Sequence, residues 1–178
     1  YAKETGSVIK LLGVARNTPE GIEVRVHPML IPERHPLASV NDSFNAVFVH
    51  GDAVDDAMFY GRGAGELPTA SAVVGDIFDI ARNLQYECCG RISCTCYKQL
   101  PIKAMDDICS KYFLRMLVEN EPGVLAAVTA VFGDRKVSIE QIIQKKKIGE
   151  LAEIVVITEK VKERHVKDSL KAFEEMTA

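Results

Sequence analysis

The chain has 178 residues, of which 47% are hydrophobic, a formal net charge of −3 and a mean hydropathy of +0.02. This composition allows one large or two small domains with a packed core, and the interspersed charges exclude the basic surface of a nucleic-acid-binding protein. No run of 18 apolar residues is present, so the sequence predicts neither a membrane span nor a membrane partner, and we expect no signal peptide.

Two strands are predicted near the start of the chain, over residues 8–14 and 22–26, where β-branched and apolar residues dominate. The segment 17–21, Asn-Thr-Pro-Glu-Gly, is typical of a turn between them. His27 and His35 have no Cys, Asp or Glu at metal-ligand spacing, so we expect both to make ordinary polar contacts. The next stretch is predicted to be irregular because three prolines interrupt it: Pro28, Pro32 and Pro36.

A third strand is predicted over residues 44–49, where both alternating faces are apolar, so we expect both faces to be covered. A short strand at 57–60 follows. Pro68 suits the first turn of a helix, which is predicted to run to about Leu84. Two adjacent apolar stripes predict that this helix is buried on most sides. The stripes are Val73, Ile77, Ile80 and Leu84, and Ala70, Val74, Phe78 and Ala81.

Three glycines at alternate positions, Gly61, Gly63 and Gly65, connect the short strand to the helix. Glycines allow a tight turn and a close approach of the backbone to a ligand. The following helix N-terminus offers free N–H groups and a positive dipole end to a polar ligand. A tight strand-to-helix turn against a neighbouring element is the other interpretation of this spacing. The pattern is not the GxGxxG dinucleotide fingerprint, which does not occur in the chain.

Residues 88–111 are predicted to be a linker, and they contain all five cysteines. Their spacing lacks the paired Cys-x2-Cys pattern of zinc sites, so no metal site is predicted. An odd number of cysteines in a chain expected to be cytoplasmic argues against a disulfide framework. Reduced thiols are the main interpretation, and metal binding and redox chemistry are the alternatives. The cysteines are Cys88, Cys89, Cys94, Cys96 and Cys109.

From residue 112 onward the pattern changes to strand, helix, strand, strand and helix. Alternating apolar residues predict strands over 112–119, 137–143 and 154–159. An amphipathic helix is predicted to end at Gly133-Asp134, and another contains Val166, Leu170 and Phe173. The order βαββα is a split βαβ unit without its last strand, which would leave an open sheet edge.

Several segments resemble the homoserine dehydrogenase family, in the family's order along nearly the whole chain. The resemblance implies an α+β fold: a mixed sheet with a long buried helix over 1–87, the linker 88–111, and a ferredoxin-like βαββα(β) ACT domain over 112–178. Because the sequence begins with Tyr1 instead of Met, we expect it to be part of a longer polypeptide. The matching segments are Tyr1 to Gly6, Ile9 to Gly13, Val26 to Pro32, Gly61 to Asp76, and Glu119 to Leu125.

The resemblance implies an NAD- or NADP-dependent oxidoreductase that interconverts L-homoserine and L-aspartate 4-semialdehyde. It places the nucleotide-binding unit and the proton-shuttling lysine before the segment that matches Tyr1, so we expect no catalytic residue in this chain and no activity from it alone. The family's cofactor-contacting glycine falls on Gly65, flanked by Gly63 and Glu66. We expect no bound cofactor in this chain by itself.

For the second part, the resemblance implies a module that binds a small amino acid, with threonine as the expected effector, between paired domains of a homodimer or homotetramer. The N-terminus of the first helix favours a carboxylate by about 0.3–1 kcal/mol. Two other possibilities remain open: an ACT domain that only dimerises, and a stand-alone amino-acid sensor without catalysis. The implied ligand residues are Asn120, Pro122, Gly123, Val124 and Leu125, with Ser138 and Ile139 facing them.

Overall fold

The structure is a computed structural model that describes residues 1–88 and 97–176, without the side chains of 145–148. The chain divides into two compact units. The first unit contains Tyr1–Gly13 and Val26–Gln99, and the second contains Val14–Arg25 and Leu100–Ala178. The α+β class predicted from the sequence is confirmed.

A long hairpin of strands β1 (Ser7–Thr18) and β2 (Gly21–Pro32) begins the fold, after a short 3-10 helix at Lys3–Thr5. Both strands exceed the predicted ranges, and the prediction of an irregular segment from Pro28 onward was wrong, because Pro28 lies inside β2. A proline is tolerated in an edge strand, where its missing N–H costs no ladder bond. The base of the hairpin belongs to the first unit and its tip, residues 14–25, to the second.

A second hairpin pairs β3 (Phe44–Gly51) antiparallel with β4 (Asp55–Arg62). The side chains of β3 alternate between half-buried and exposed, with Val47 61% and Val49 43% exposed. The prediction that both faces are covered was therefore wrong for this chain. The expected mixed sheet does not form among the described residues either: β1 pairs with β2 and β3 pairs with β4 in two separate two-stranded sheets.

Helix α1 (Glu66–Gln85) follows the second hairpin and has nearly the predicted bounds. None of its residues is buried, so the prediction of a buried helix was wrong for this chain. Both apolar stripes are exposed: Ile77 and Phe78, one from each, are 58% and 60% accessible. Periodicity identifies the helix, whereas burial depends on what packs against it. No helix in the described part of the chain is long and apolar enough to cross a membrane.

The second unit has the predicted βαββα order, with one extra pair of two-residue strands. Strand β8 lies between β6 and β7 and is antiparallel to both, which is the order of a ferredoxin-like sheet. The other side of β6 has no strand partner among the described residues. The elements are β5 (Cys109–Ser110), β6 (Phe113–Glu119), α2 (Val124–Asp134), β7 (Ile139–Ile148), β8 (Leu151–Thr158), β9 (Val161–Lys162) and α3 (Glu163–Met176).

The hydrophobic core of the second unit lies between β8 and helices α2 and α3. Phe132 is fully buried and meets Phe173 edge-on, with ring centroids 5.1 Å apart. Burying one such large apolar side chain contributes about 1.5–3 kcal/mol. The central strand β8 is buried from Ala152 to Val156, as expected for a strand covered on both faces. The other core residues are Val128, Val137, Ile154, Val161 and Val166.

Candidate functional site

The glycine loop, residues 63–65, connects β4 to α1. Gly65 is the N-cap of the helix and has φ 127° and ψ 148°, a backbone conformation that favours glycine. Its carbonyl accepts hydrogen bonds from the Thr69 N–H at 3.2 Å and the Thr69 hydroxyl at 2.7 Å. These bonds fix the first turn of the helix, so the loop reaches α1 in a defined conformation.

Gly63 has a different reason for lacking a side chain. A Cβ at this position would overlap the Asn45 amide nitrogen and lie 2.6 Å from Asn45 Cγ. The Gly63 N–H donates to the Ser43 carbonyl at 3.2 Å, and Arg62 donates to the Ser43 hydroxyl at 3.1 Å. The start of β3 therefore supports the glycine loop directly. Sequence reasoning missed Asn45, because no local pattern connects it to a loop 18 residues later.

The N-terminus of α1 is open to a ligand. Within the described residues no side chain caps it, and Gly65, Glu66 and Leu67 are exposed. Glu66 is the acidic residue of the first turn, where its negative charge interacts favourably with the positive end of the helix dipole. A carboxylate at this position repels a phosphate and accepts hydrogen bonds from hydroxyl or amide groups. The loop therefore suits a neutral polar ligand edge better than a phosphate.

Lys10 lies on β1 in the first unit and donates a hydrogen bond to Asn41 Oδ1 at 2.7 Å. It also donates to the Val40 carbonyl. These bonds connect β1 to the segment before β3, which is a structural role. A shallow groove beside them is lined by Lys10, Leu11, Leu12, Leu37, Val40, Phe44, Asn45 and Ala46.

The predicted effector loop lies between β6 and α2. Gly123 has φ 97° and is the N-cap of α2, and its carbonyl accepts the Ala127 N–H at 3.0 Å. The Val124 N–H donates to the Glu121 carbonyl at 3.4 Å, and the Asn120 N–H donates to the Glu150 carbonyl at 3.2 Å. Five predicted ligand residues thus lie together on one exposed turn at one end of the sheet: Asn120, Pro122, Gly123, Val124 and Leu125.

The other two predicted ligand residues, Ser138 and Ile139, lie at the opposite end of the same sheet. Leu151 pairs with Glu119 at the end near the loop, whereas Ile139 pairs with Thr158 at the far end. At about 3.3 Å per residue, seven residues of β8 separate these ends by about 20 Å. Within one copy, Ser138 and Ile139 therefore do not lie beside the loop, and the expectation that they face it between paired domains stays a prediction. The sequence pattern predicted each strand, but it did not predict how the strands align with one another in the sheet.

The cysteines and histidines contribute no metal site in the part of the chain that the structure describes. Cys88 and Cys109 are exposed free thiols, while Cys89, Cys94 and Cys96 lie outside the described residues. His27 Nδ1 contacts the carbonyl of the next residue at 2.9 Å, and His35 Nδ1 accepts the Leu37 N–H at 3.1 Å. The histidine contacts are ordinary polar ones.

The second unit contains a network of ion pairs that the sequence pattern did not predict. Lys103 forms ion pairs with Glu20 at 2.8 Å and with the buried Glu23 at 3.3 Å, and Arg16 lies 3.9 Å from Glu23. The hydrogen bond between Lys103 and Glu20 raises the pKa of Lys103 and lowers that of Glu20. Lys103 is about 80 residues from Glu20 and Glu23 in sequence, so only the folded chain reveals these two pairs.

Three further polar contacts lie at the start of α3. Tyr112 donates a hydrogen bond to Glu163, and burial together with this bond raises the pKa of Tyr112 above its ordinary value. Lys162 and Arg164 form ion pairs with Asp107 at 3.1 and 2.8 Å and hold the pKa of that carboxyl below its ordinary value. All these partners lie within the second unit.

The fold and the loops define a class: an α+β chain with a glycine-rich strand-to-helix turn, followed by a ferredoxin-like unit. Residues 1–78 match the family model described as homoserine dehydrogenase, and residues 112–177 match the ACT domain model. Residues 1–78 thus belong to the homoserine dehydrogenase family, and residues 112–177 are an ACT domain.

Individual relatives agree with this assignment. Homoserine dehydrogenase of Neisseria gonorrhoeae is 46% identical over 98% of this chain and 41% of its own length. The Bacillus subtilis enzyme is 39% identical over 99% and 41%. The crystal structure of a Thiobacillus denitrificans homoserine dehydrogenase has a TM-score of 0.86 at 40% identity, covering 98% of this chain and 41% of that one. The chain thus spans about two fifths of the length of these relatives.

Proposed function

We propose that this chain is the substrate-side and regulatory part of a homoserine dehydrogenase, an NAD- or NADP-dependent oxidoreductase that interconverts L-homoserine and L-aspartate 4-semialdehyde. Its place would be in the biosynthesis of threonine, methionine and isoleucine, in the cytoplasm. The observation that carries the proposal is the order of the two matches, residues 1–78 and 112–177, on a backbone that follows a homoserine dehydrogenase at a TM-score of 0.86.

The glycine loop fits the role of a cofactor contact. Gly65 has no Cβ and a glycine-favoured backbone, Gly63 leaves no room for a Cβ beside Asn45, and the helix end beside them has no side-chain cap. When bound, the nicotinamide would accept the hydride from the substrate alcohol or return it to the aldehyde. We propose that Gly63, Gly65 and Glu66 hold a hydroxyl or carboxamide edge of the dinucleotide, since the Glu66 carboxylate disfavours its phosphates.

The catalytic proton transfer is assigned to residues outside this chain. Lys10 on β1 already donates to two oxygens and supports the fold. The 178-residue chain alone is accordingly proposed to be inactive and to bind no dinucleotide tightly. This proposal is testable because any turnover of homoserine by the isolated chain contradicts it.

For the ACT domain we propose that threonine binds at the loop that contains Asn120, Pro122, Gly123, Val124 and Leu125. Ser138 and Ile139 lie about 20 Å away in the same copy. They can contact the same ligand only if a second copy contributes them. The proposed site thus needs a homodimer, alone or within a tetramer, with the loop of one copy opposite the β7 start of the other.

A chimera tests the catalytic part of the proposal. The segment of Neisseria gonorrhoeae homoserine dehydrogenase that aligns with this chain is replaced by the chain, and homoserine oxidation is followed with NAD and with NADP. Activity within about tenfold of the parent enzyme is the expected result, since the two are 46% identical over the exchanged segment. A folded chimera that binds dinucleotide but cannot turn over homoserine would contradict the proposal.

Calorimetry of the 178-residue chain with threonine, beside methionine, isoleucine and lysine, tests the regulatory part. Saturable heat for threonine, together with a dimer in sedimentation, is the expected result. The second candidate function, a stand-alone amino-acid sensor, is favoured by one observation: the second unit has a complete buried core, whereas α1 of the first unit has no buried residue. Threonine binding combined with an inactive chimera would favour the sensor.

A further inference from the structure

We propose that Asn45 is a positioning residue for the nicotinamide dinucleotide, acting through the glycine loop. The proposal rests on the function proposed above, in which that loop contacts the cofactor. It adds a residue from β3, a strand outside the glycine motif, to the cofactor side of the site.

The first observation is steric. The Asn45 side chain occupies the volume that a Cβ on Gly63 would need. The neighbouring Gly61 has open space at the same position, so alternate glycines in this run do not share one explanation. Of the three glycines in this run, only Gly63 has the side chain of another strand in the place of the missing Cβ. Asn45 therefore limits where the Gly63 backbone can lie.

The second observation is the support around Asn45. Phe44 pairs with Arg62 in the β3–β4 register, and the Arg62 guanidinium lies 4.8 Å from the Phe44 ring centroid. The Phe44 ring stacks on Tyr60 at 4.9 Å. These contacts, with the bond from the Gly63 N–H to the Ser43 carbonyl, hold the start of β3 against the end of β4. Asn45 is thus presented to the loop by a fixed strand.

Restricting the Gly63 backbone has a consequence for the free energy of dinucleotide binding. Glycine has the largest conformational freedom of all residues, so a glycine loop without neighbours samples many backbone states. Ordering such a loop on binding costs affinity, and pre-ordering restores it. By restricting Gly63, Asn45 lowers this cost for the dinucleotide and leaves the chemical step alone. The expected signature is a changed KM for the dinucleotide with kcat and the KM for homoserine unchanged.

The kinetic test uses the active chimera. Asn45→Ala is expected to raise the KM for the dinucleotide about three- to tenfold. Asn45→Leu retains a branched side chain of similar volume and is expected to recover most of the loss. Val47→Ala is the matched control, because Val47 is exposed on the same face of β3 and pairs with Phe59, away from the loop. It is expected to change no constant.

A double-mutant cycle tests the contact itself. Gly63→Ala should displace the Asn45 side chain or the loop, since its new Cβ would lie 1.4 Å from the Asn45 amide nitrogen. Adding Asn45→Ala removes the obstacle, so the double variant should bind dinucleotide better than Gly63→Ala alone. Additive effects would overturn the proposal, as would an Asn45→Ala chimera with an unchanged KM.

A structural readout separates this proposal from the proposed function. In the isolated 178-residue chain, Asn45→Ala is expected to shift the Gly63 and Gly65 amide NMR resonances, whereas Val47→Ala leaves them in place. Unmoved glycine resonances overturn the positioning role whether or not the enzyme is active. An inactive chimera with moved resonances contradicts the proposed function and leaves the Asn45 contact established.

Discussion

Replacing Gly21 by Ala should destabilise the second unit. Gly21 begins β2 at the tip of the first hairpin, is buried, and has φ 131°. A Cβ there would lie 2.5 Å from the Pro101 carbonyl oxygen. That oxygen also accepts the Ile22 N–H at 2.8 Å, and the Ile22 carbonyl accepts the Lys103 N–H at 2.9 Å. The substitution therefore strains the backbone and pushes apart two hydrogen-bonded segments.

The magnitude follows from these two effects. A residue with a side chain in a glycine-only backbone region costs about 1–3 kcal/mol. Weakening the Ile22–Pro101 hydrogen bond costs about 0.5–1.5 kcal/mol more. The free energy of unfolding should thus fall by about 2–4 kcal/mol. With a denaturant slope of about 1–3 kcal/mol per molar urea, the midpoint should fall by about 1–2 M.

Urea unfolding followed by far-UV circular dichroism measures this change, because the chain has no tryptophan for fluorescence. Gly133→Ala is the control in the same unit: it lies in α2, and its Cβ would meet no atom within 4 Å. This control should leave stability unchanged or raise it by up to about 1 kcal/mol. An unchanged urea midpoint for Gly21→Ala would show that neither the positive φ nor the approach to the Pro101 carbonyl contributes the predicted loss.

Gly65→Val in the chimera should damage dinucleotide binding, measured as a raised KM, more than folding, measured as a lowered melting temperature. The branched side chain blocks close approach of the ligand at φ 127°. An unchanged KM would remove Gly65 from the site. Tyr112 has a raised pKa, so its contribution to stability is complete below pH about 10 and is lost as pH rises above that value. Tyr112→Phe should lack this alkaline loss in urea titrations, and parallel curves would contradict the Glu163 contact. Asp107 has a lowered pKa, so its contribution is present above its ordinary value of 3.8 and is lost as pH falls below it. Asp107→Asn should be less sensitive to acid than the parent, and equal acid sensitivity would count against the ion pairs.

Local periodicity predicted the helices and the ACT strands because each element carries its own pattern. Helix α1 was predicted to end at about Leu84, and it ends at Gln85. The buried run of β8 likewise follows from its central place in the sheet. Pro28 shows where a local rule misleads: proline breaks an interior strand, but among the described residues β1 is the only strand that pairs with β2, and the isolated bridge to Ile102 is at Ile22, away from Pro28.

Burial and register could not be predicted, because both depend on partners distant in sequence. The stripes of α1 have the spacing of a buried helix, yet Val73 and Ile77 are more than half exposed in this chain. The strand that begins at Ile139 was predicted correctly, while its distance from the Asn120 loop depends on its pairing with β8. Lys103 and Glu23 are 80 residues apart in sequence, and the local pattern around each residue does not predict that they pair.

The glycines of the loop show most directly what a sequence pattern hides. Gly61, Gly63 and Gly65 look equivalent in the sequence, and a general argument about backbone freedom applies to all three. In the structure Gly65 needs glycine for its positive φ, Gly63 needs it because Asn45 fills the adjacent space, and Gly61 has neither constraint. Alanine should therefore be tolerated differently at these positions: the backbone strains it at Gly65, the Asn45 side chain must move for it at Gly63, and no atom of the described residues opposes it at Gly61. A ligand that covers Gly61 in the active enzyme would make that position intolerant too, so the tolerance of Gly61→Ala distinguishes a contact with ligand from a turn that only folds.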